Sequence, residues 1–323
     1  MCGTDYEQYQ GSLDIAHPYI AGHEFVGRLA AIGPDASARW GLGAGARVAV
    51  ESIVSCRRCR ECRAGRPLHC RERLIYGLTP LARSPGLLGG YAEYVVLQPN
   101  TEVYPVAEHL SPEDAVLFNP LGAGFDWTCR VGGTGVDDRV LIIGPGQRGQ
   151  CCIVAAREAG ASQIIVAGRG RRPWKLDVAR SLGATDVVDT DATPLVDAVR
   201  ELTGGEMVDR VIETASLATR PVADAVNSVR AEGTVVFAGL KASGGDLGAV
   251  YNTIMRNGIV VRGAFSVSDW AKRKAIEWLS TTDRPLHRLH THTLAIDEVD
   301  RAFRVLGGEI AGDDGLHITV VPA

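Results

Sequence analysis

The sequence contains no apolar run approaching the roughly 18 residues that cross a bilayer as a helix. Its first residues, Met1-Cys2-Gly3-Thr4-Asp5-Tyr6-Glu7, are polar and carry no apolar stretch of the secretory type. A cytoplasmic protein without membrane association is expected. Lysine is scarce: Lys175, Lys241, Lys272 and Lys274 are the only four among 34 basic residues, and arginine supplies the rest. That bias points to a GC-rich genome more than to a function. Nor is there a basic excess. The 34 basic residues face 38 acidic ones, for a net charge of −4, which argues against nucleic acid as a partner. Internal repeats and low-complexity linkers are absent too. What remains is ordinary for a folded chain, with 46% hydrophobic and 22% charged residues. At roughly 150 residues per domain, a chain of 323 residues predicts two domains.

Eight cysteines give the first specific signal. Cys2, Cys129, Cys151 and Cys152 lie apart from a bunch formed by Cys56, Cys59, Cys62 and Cys70. A secreted disulfide scaffold spreads its cysteines through a small chain; here four of them fall in a single loop of a large one. The spacing C-x2-C-x2-C-x7-C can wrap Zn²⁺ with four thiolates as a closed structural site. Arg57, Arg58, Arg60 and Arg63 offset the thiolate charge. An iron–sulfur loop of the bacterial type would end C-x3-C-P, whereas the last spacing here is seven and Arg71 follows.

Residues 1–110 are rich in Gly and Pro and read as β-rich. Strands are predicted over Glu24–Ile32, Arg47–Ser52 and Tyr91–Leu97, with turns at Gly33-Pro34 and Gly43–Gly45. From about Gly122 strands and helices alternate. Arg139–Ile143, Gln163–Ala167, Val208–Ile212, Thr234–Ala238 and Ile259–Gly263 read as strands. Gln150–Ala159 and Trp174–Leu182 read as helices, and two more start near Leu195 and Thr219. This alternation predicts an α/β, doubly wound parallel sheet. The tail from Phe265 is mixed and ends in a strand at His317–Val321.

Gly144-Pro145-Gly146-Gln147-Arg148-Gly149 follows the apolar strand Val140-Leu141-Ile142-Ile143 and opens a helix. In that setting G-x-G-x-x-G is a dinucleotide loop. Glycines allow close approach of a pyrophosphate, and the helix N-terminus meets its charge. Cofactor choice is normally read about 20 residues on, where an acid bonds the ribose 2′-OH of NAD. That count reaches Gly168, followed by Arg169, Arg171 and Arg172 with no acid among them. NADP is therefore favoured over NAD.

Taken in order, C-G-T-D at Cys2–Asp5, G-H-E at Gly22–Glu24, the four-cysteine loop and the glycine loop resemble the zinc-dependent medium-chain dehydrogenases, the alcohol, sorbitol and threonine dehydrogenase-like superfamily. The resemblance covers nearly the whole chain. It implies a GroES-like β-barrel catalytic domain beside a Rossmann-type domain, divided as 1–120, 121–263 and a return to the catalytic domain over 264–323. Family members place strands before C-G-T-D, so the barrel is expected to be incomplete at its N-terminus. The resemblance also implies two zinc ions. Cys2 and His23 match ligands of a catalytic zinc, and Glu24 matches a carboxylate that approaches the metal in some members. Thr4 matches the hydroxyl that starts a proton relay. Cys56, Cys59, Cys62 and Cys70 match the structural zinc lobe. Gly144, Gly146, Gln147, Arg148, Gly149, Gly168 and Arg169 fall in the cofactor site. The third catalytic ligand is usually Cys, Glu or Asp in an E-P-L context, and this sequence has Asn119-Pro120-Leu121. Either Asn119 coordinates weakly, Glu24 takes over, or the zinc is labile. Phe125 and Trp127 are candidates to line the cleft or to fill the core.

The implied activity is hydride transfer between an alcohol or polyol, or its carbonyl product, and a nicotinamide cofactor. A homo-oligomer, dimer or tetramer, is expected. The alternative is a catalytically silent homologue that keeps zinc and nucleotide; Asn119 favours it, and Cys2, Thr4, His23 and Glu24 oppose it. A reductase that does not use zinc is opposed by the same ligands. No anion-binding or sugar-specific motif narrows the substrate.

Overall fold

The computed structural model describes residues 1–13, 15–241, 248–282 and 286–322. The chain divides into two compact units, one formed by Met1–Phe118 with Ile276–Ala323 and the other by Asn119–Ala275.

The first unit opens with α1 (Gly3–Tyr9), β1 (Val26–Arg28), α2 (Pro34–Trp40), β2 (Arg47–Val50) and β3 (Ile53–Val54). It continues through α3 (Arg60–Arg63), β4 (Leu74–Ile75), β5 (Val103–Pro105) and α4 (Pro112–Ala115). β2 pairs antiparallel with β1 on one side and β5 on the other, and β3 pairs with β4. Val48, Val50, Val54, Tyr76 and Val103 gather into their common core.

Three local expectations change here. Gly33-Pro34 starts a helix rather than a turn, because the fixed φ of proline suits the first helical position; Gly41, at φ 65°, then closes α2. The strand expected over Glu24–Ile32 is reduced to β1, although Leu29 N–H still reaches Ala46 O at 3.0 Å. No strand forms over Tyr91–Leu97. Its amides bond to separate places, Tyr91 to Ala21 O and Val96 to Leu87 O, so no single neighbour runs alongside it.

The second unit begins in α5 (Phe118–Phe125), which runs on into a π-helical turn at Asp126–Val131. There follow β6 (Arg139–Ile143), α6 (Gln147–Glu158), β7 (Gln163–Gly168), α7 (Pro173–Leu182), β8 (Asp186–Asp189) and α8 (Leu195–Leu202). β9 (Val208–Glu213), α9 (Arg220–Ser228), β10 (Val229–Phe237), α10 (Gly248–Arg256) and β11 (Val260–Gly263) complete it. The six strands are parallel in the order β11-β10-β9-β6-β7-β8. This is a Rossmann-type doubly wound sheet, and its order reverses between β6 and β9. Central strands covered on both faces need continuous apolar runs; Val140, Leu141, Ile142 and Ile164, Ile165, Val166 supply them, all fully buried. β8 escaped the sequence reading because only Val187 and Val188 separate its two aspartates. α6 starts at Gln147, not Gln150, with Gly146 as its N-cap, so the helix begins inside the glycine motif.

The chain closes with α11 (Asp269–Thr281), β12 (His290–Ala295), α12 (Val299–Gly307) and β13 (His317–Val321), with β12 parallel to β13. α1 packs on α12 within the first unit. Tyr9 stacks on Phe303 at 4.8 Å between centroids and donates to Asp300 at 2.7 Å, while Tyr6 donates to Glu309 at 2.6 Å. Met1, Phe303, Val305 and Ile318 share one buried cluster. The tail thereby fixes the helix that follows Cys2. Among the described residues no helix is long and apolar enough to cross a membrane.

Candidate metal centres and cofactor crevice

Cys56, Cys59, Cys62 and Cys70 converge as the sequence predicts. Their sulfurs lie within 4.8 Å of one another, with Cys59–Cys62 at 3.5 Å, Cys59–Cys70 at 3.9 Å and Cys56–Cys62 at 4.0 Å. A tetrahedron with Zn–S bonds of about 2.3 Å has edges of about 3.8 Å, so the donor set fits a four-thiolate zinc. The loop is shaped for charge on sulfur. Cys59 N–H donates to Cys56 Sγ, and Cys56 N–H to Cys70 Sγ, both at 3.3 Å. The backbone N–H of Cys62 is the main cause drawing the Cys59 thiol down to about 6, while burial pushes Cys62 up to about 11. Thiols this near one another cannot all ionise without a cation among them. Of the arginines expected to offset that charge, Arg57 pairs with Glu102 and Arg58 with Glu72.

The second cluster joins Cys2, His23 and Glu24, whose ligand atoms also lie within 4.8 Å of one another. Cys2 is the buried N-cap of α1. Gly22 sets up the approach of His23. Its φ is +90°, and a Cβ there would meet Tyr91 N at 2.7 Å, so only glycine fits. One sulfur, one imidazole and one carboxylate make a three-ligand set of the catalytic zinc type, which leaves a fourth position open. Thr4 is half-buried in the first turn of α1, two residues from Cys2.

Behind this set stands a residue that the sequence reading passed over. Asp5 is 2% exposed. Its Oδ1 lies 3.1 Å from His23 Nδ1, and its Oδ2 accepts from Cys2 N–H at 2.8 Å and from the Tyr91 hydroxyl at 3.0 Å. Burial works to raise the Asp5 carboxyl, but His23 and the backbone of Cys2 outweigh it and hold it down at about 2. Burial likewise lowers His23, and Asp5 more than reverses this, leaving the imidazole well above its ordinary value. A carboxylate on one ring nitrogen fixes the tautomer and leaves Nε2 for a metal. The signal was present as the last letter of C-G-T-D.

Asn119 belongs to the second unit, is buried, and its Oδ1 accepts from an Arg148 guanidinium nitrogen at 3.4 Å. Arg148 also lies over the ring of Trp127, 5.2 Å from its centroid. Trp127 donates from Nε1 to Ser266 O at 3.0 Å; it and Phe125 are buried.

The glycine loop sits at the carboxyl end of β6, at the point where the strand order reverses. A Cβ on Gly149 would fall 1.9 Å from Gly144 O, so helix and loop touch there in a way only glycine permits. A Cβ on Gly146 would meet nothing within 4 Å. Gly146 is the N-cap of α6, so no side chain bonds the first-turn amides, the groups that bind phosphate at helix starts. Gln147 is buried beside it, and its Nε2 has no hydrogen-bond partner among the described residues. Further on, Gly168 ends β7, and a Cβ on it would strike Pro145. The sequence shows no acid in this loop, but the neighbouring strand brings two. Asp189 packs against Gly170, and Asp191 accepts from Arg169 Nε at 3.2 Å.

Residues 1–108 match the alcohol dehydrogenase GroES-like domain, and residues 149–281 match the zinc-binding dehydrogenase family. A Mycobacterium tuberculosis protein described as "Probable alcohol dehydrogenase" is 40% identical over 327 residues, spanning 100% of this chain and 89% of its own. The chain belongs to the zinc-dependent medium-chain dehydrogenases. It is an alcohol dehydrogenase-type enzyme. Among other members of this superfamily, the L-threonine 3-dehydrogenase of Alteromonas mediterranea is 28% identical over 318 residues, covering 97% of this chain and 87% of its own. A zinc-binding dehydrogenase of Sinorhizobium meliloti, solved bound to NADP, superposes with a TM-score of 0.87 at 27% identity over 100% of this chain and 89% of its own. The alcohol dehydrogenase of Thermotoga maritima shares the fold, with a TM-score of 0.88 at 22% identity over the same shares.

For a dehydrogenase of this superfamily the Asp5–His23 contact should govern metal retention. Asp5→Asn keeps an oxygen for Cys2 N–H but removes the charge facing His23. Zinc affinity of the Cys2–His23–Glu24 set should fall by about 10- to 100-fold, measured by competition with a calibrated chelator. The zinc of the four-cysteine loop should be unaffected.

Proposed function

We propose that the protein is a two-zinc oxidoreductase that moves a hydride between an alcohol or polyol, or the corresponding carbonyl compound, and a nicotinamide dinucleotide. The observation that carries this reading is the convergence of Cys2, His23 and Glu24 in front of Asp5. Zinc bound there supplies Lewis acidity at the substrate oxygen, and the dinucleotide supplies or accepts the hydride. The chain's residues do the rest. Cys2, His23 and Glu24 hold the metal. Asp5 holds the His23 ring and favours its tautomer. Thr4 takes the substrate hydroxyl proton and passes it towards solvent. Asn119 stays outside the metal shell in this reading, since its oxygen is turned to Arg148, and Glu24 completes the set. The thiolate loop is structural. The catalytic domain is taken as 1–120 with 264–323, and the cofactor domain as 121–263. Gly144, Gly146, Gln147, Arg148, Gly149, Gly168 and Arg169 line the cofactor site.

The two zincs should separate under chelation. A mild chelator should remove one zinc per chain together with alcohol oxidation, while the four-thiolate zinc remains. Metal counting alongside an activity assay over a panel of alcohols and polyols checks this; full activity after loss of the first zinc would overturn the reading.

NADP is the preferred cofactor in this reading. Arg169, Arg171 and Arg172 follow Gly168, and the Arg169–Asp191 pair is exposed, so a 2′-phosphate can displace Asp191 at small cost. Asp189 and Asp191 oppose part of that attraction, so the preference should be modest. Arg169→Ala with Arg171→Ala should erode it. Equal dissociation constants for NADP and NAD in the parent protein would refute it.

A homo-oligomer built on β11 is also proposed. This strand ends the six-stranded sheet, and its Val260 and Val261 are exposed, as are Tyr251 and Met255 of α10. An apolar open edge is a template for pairing with a second copy across a two-fold axis. Sedimentation should report a dimer or larger, and Val260→Glu with Val261→Glu should shift it to monomer.

A further inference from the structure

One of the chain's four lysines follows β10 and pairs with a buried acid that ends β9, the strand beside the reversal point of the sheet. Glu213 ends β9 and is fully buried; its Oε1 lies 2.8 Å from Lys241 Nζ and accepts from Ala215 N–H at 2.8 Å. Lys241 also donates to Ala215 O. Glu213 Oε2 is buried with no hydrogen-bond partner among the described residues. The backbone follows the same connection. Ala238 and Gly239 donate to Glu213 O at 2.9 and 3.2 Å, and Leu217 donates to Leu240 O at 2.7 Å. The turn after β9 and the segment after β10 are thus joined by backbone bonds and by one ion pair, its acid buried and its lysine half-buried.

That turn supports the glycine loop. Thr214 Oγ1 donates towards Ile143 O and Gly144 O at 3.0 and 3.1 Å. A Cβ on Gly144 would meet Thr214 Oγ1 at 2.9 Å and Ala215 N at 3.1 Å. Any drift of Thr214 or Ala215 therefore moves the backbone against which a dinucleotide lies. In open α/β sheets the ligand binds outside the carboxyl ends of the strands at the reversal point, and Glu213 and Thr214 occupy that position next to β6. A buried pair holds its geometry only while both charges are present.

We propose that the Glu213–Lys241 ion pair is a positioning element of the cofactor crevice, fastening the turn after β9 to the segment after β10 so that the support under Gly144 is formed before the dinucleotide binds. The proposal rests on the reading of this crevice as the nicotinamide dinucleotide site. Lys241→Met and Glu213→Gln each remove one charge. Double-mutant coupling then distinguishes the pair from two separate structural residues.

Dissociation constants for NADP and NAD are measured on the zinc-loaded protein by fluorescence titration, with thermal midpoints in parallel. Each single variant should bind both dinucleotides more weakly by on the order of 10- to 100-fold. The double variant, which leaves no unpaired buried charge, should recover part of that loss. Glu213→Gln is nearly isosteric and serves if Lys241→Met does not fold. Thermal midpoints that fall while both affinities stay within about twofold of the parent would overturn the proposal and leave a structural pair only. Additive losses with no recovery in the double variant would overturn it as well. A parent protein that binds neither dinucleotide would instead overturn the reading of the crevice, and the proposal with it.

Discussion

The cluster of Cys2, His23 and Glu24 depends on one buried carboxylate. Asp5 collects a backbone N–H from Cys2, a hydroxyl from Tyr91 and the Nδ1 face of His23, so three separated stretches of chain meet on its two oxygens. Desolvation alone would make such a group neutral. The imidazole first, and then the N-terminal charge and the Cys2 N–H, keep it ionised, and its charge in turn raises the basicity of His23. The imidazole and the Cys2 backbone of this cluster are therefore arranged by electrostatics reaching them from behind. Tyr91 is part of the same arrangement: burial first, and then the charge of Asp5, hold its phenol protonated and able to donate.

The second unit solves a different problem with different means. It needs close backbone approach to an extended ligand that carries a pyrophosphate. Close contacts at glycines shape that backbone: Gly149 lies on Gly144, Gly168 on Pro145, and Gly144 on Thr214. Where contacts cannot be made by glycine, the ion pair between buried Glu213 and half-buried Lys241 ties the adjoining segments. The charges differ accordingly. The Cys2–His23–Glu24 cluster of the first unit is acidic and sulfur-bearing, whereas the glycine loop offers backbone amides and the segment after β7 offers arginines facing Asp189 and Asp191.

Much of this was legible in the sequence. The four-cysteine loop and the glycine loop are short, and their ligands come from one stretch of chain, so spacing alone carries them. The alternating second half was equally readable, since parallel strands must be apolar throughout, and β6, β7 and β9 were found within a residue or two. Residues whose role depends on distant partners were harder. Asp5 looked like a polar letter in a motif, because His23 and Tyr91 come to it only in the folded chain. Asp189 and Asp191 lie some twenty residues from Arg169 in the sequence yet share its surroundings, because β7 and β8 are neighbours. Tyr91–Leu97 has the composition of a strand but no partner alongside it. Pro34 marked a boundary correctly, and the sense of that boundary was a helix start instead of a turn.

The packing of α1 against α12 joins residues almost three hundred positions apart, with the whole second unit lying between them in the chain. On a ribosome adding about 5–20 residues per second, the helix that follows Cys2 waits on the order of 15–60 s for Asp300 and Phe303 to emerge. The contiguous second unit faces no such delay and can close its sheet while synthesis continues. The four-cysteine loop is complete early. The Cys2 centre is assembled last, so its ligands spend most of the protein's birth without the helix that will hold them.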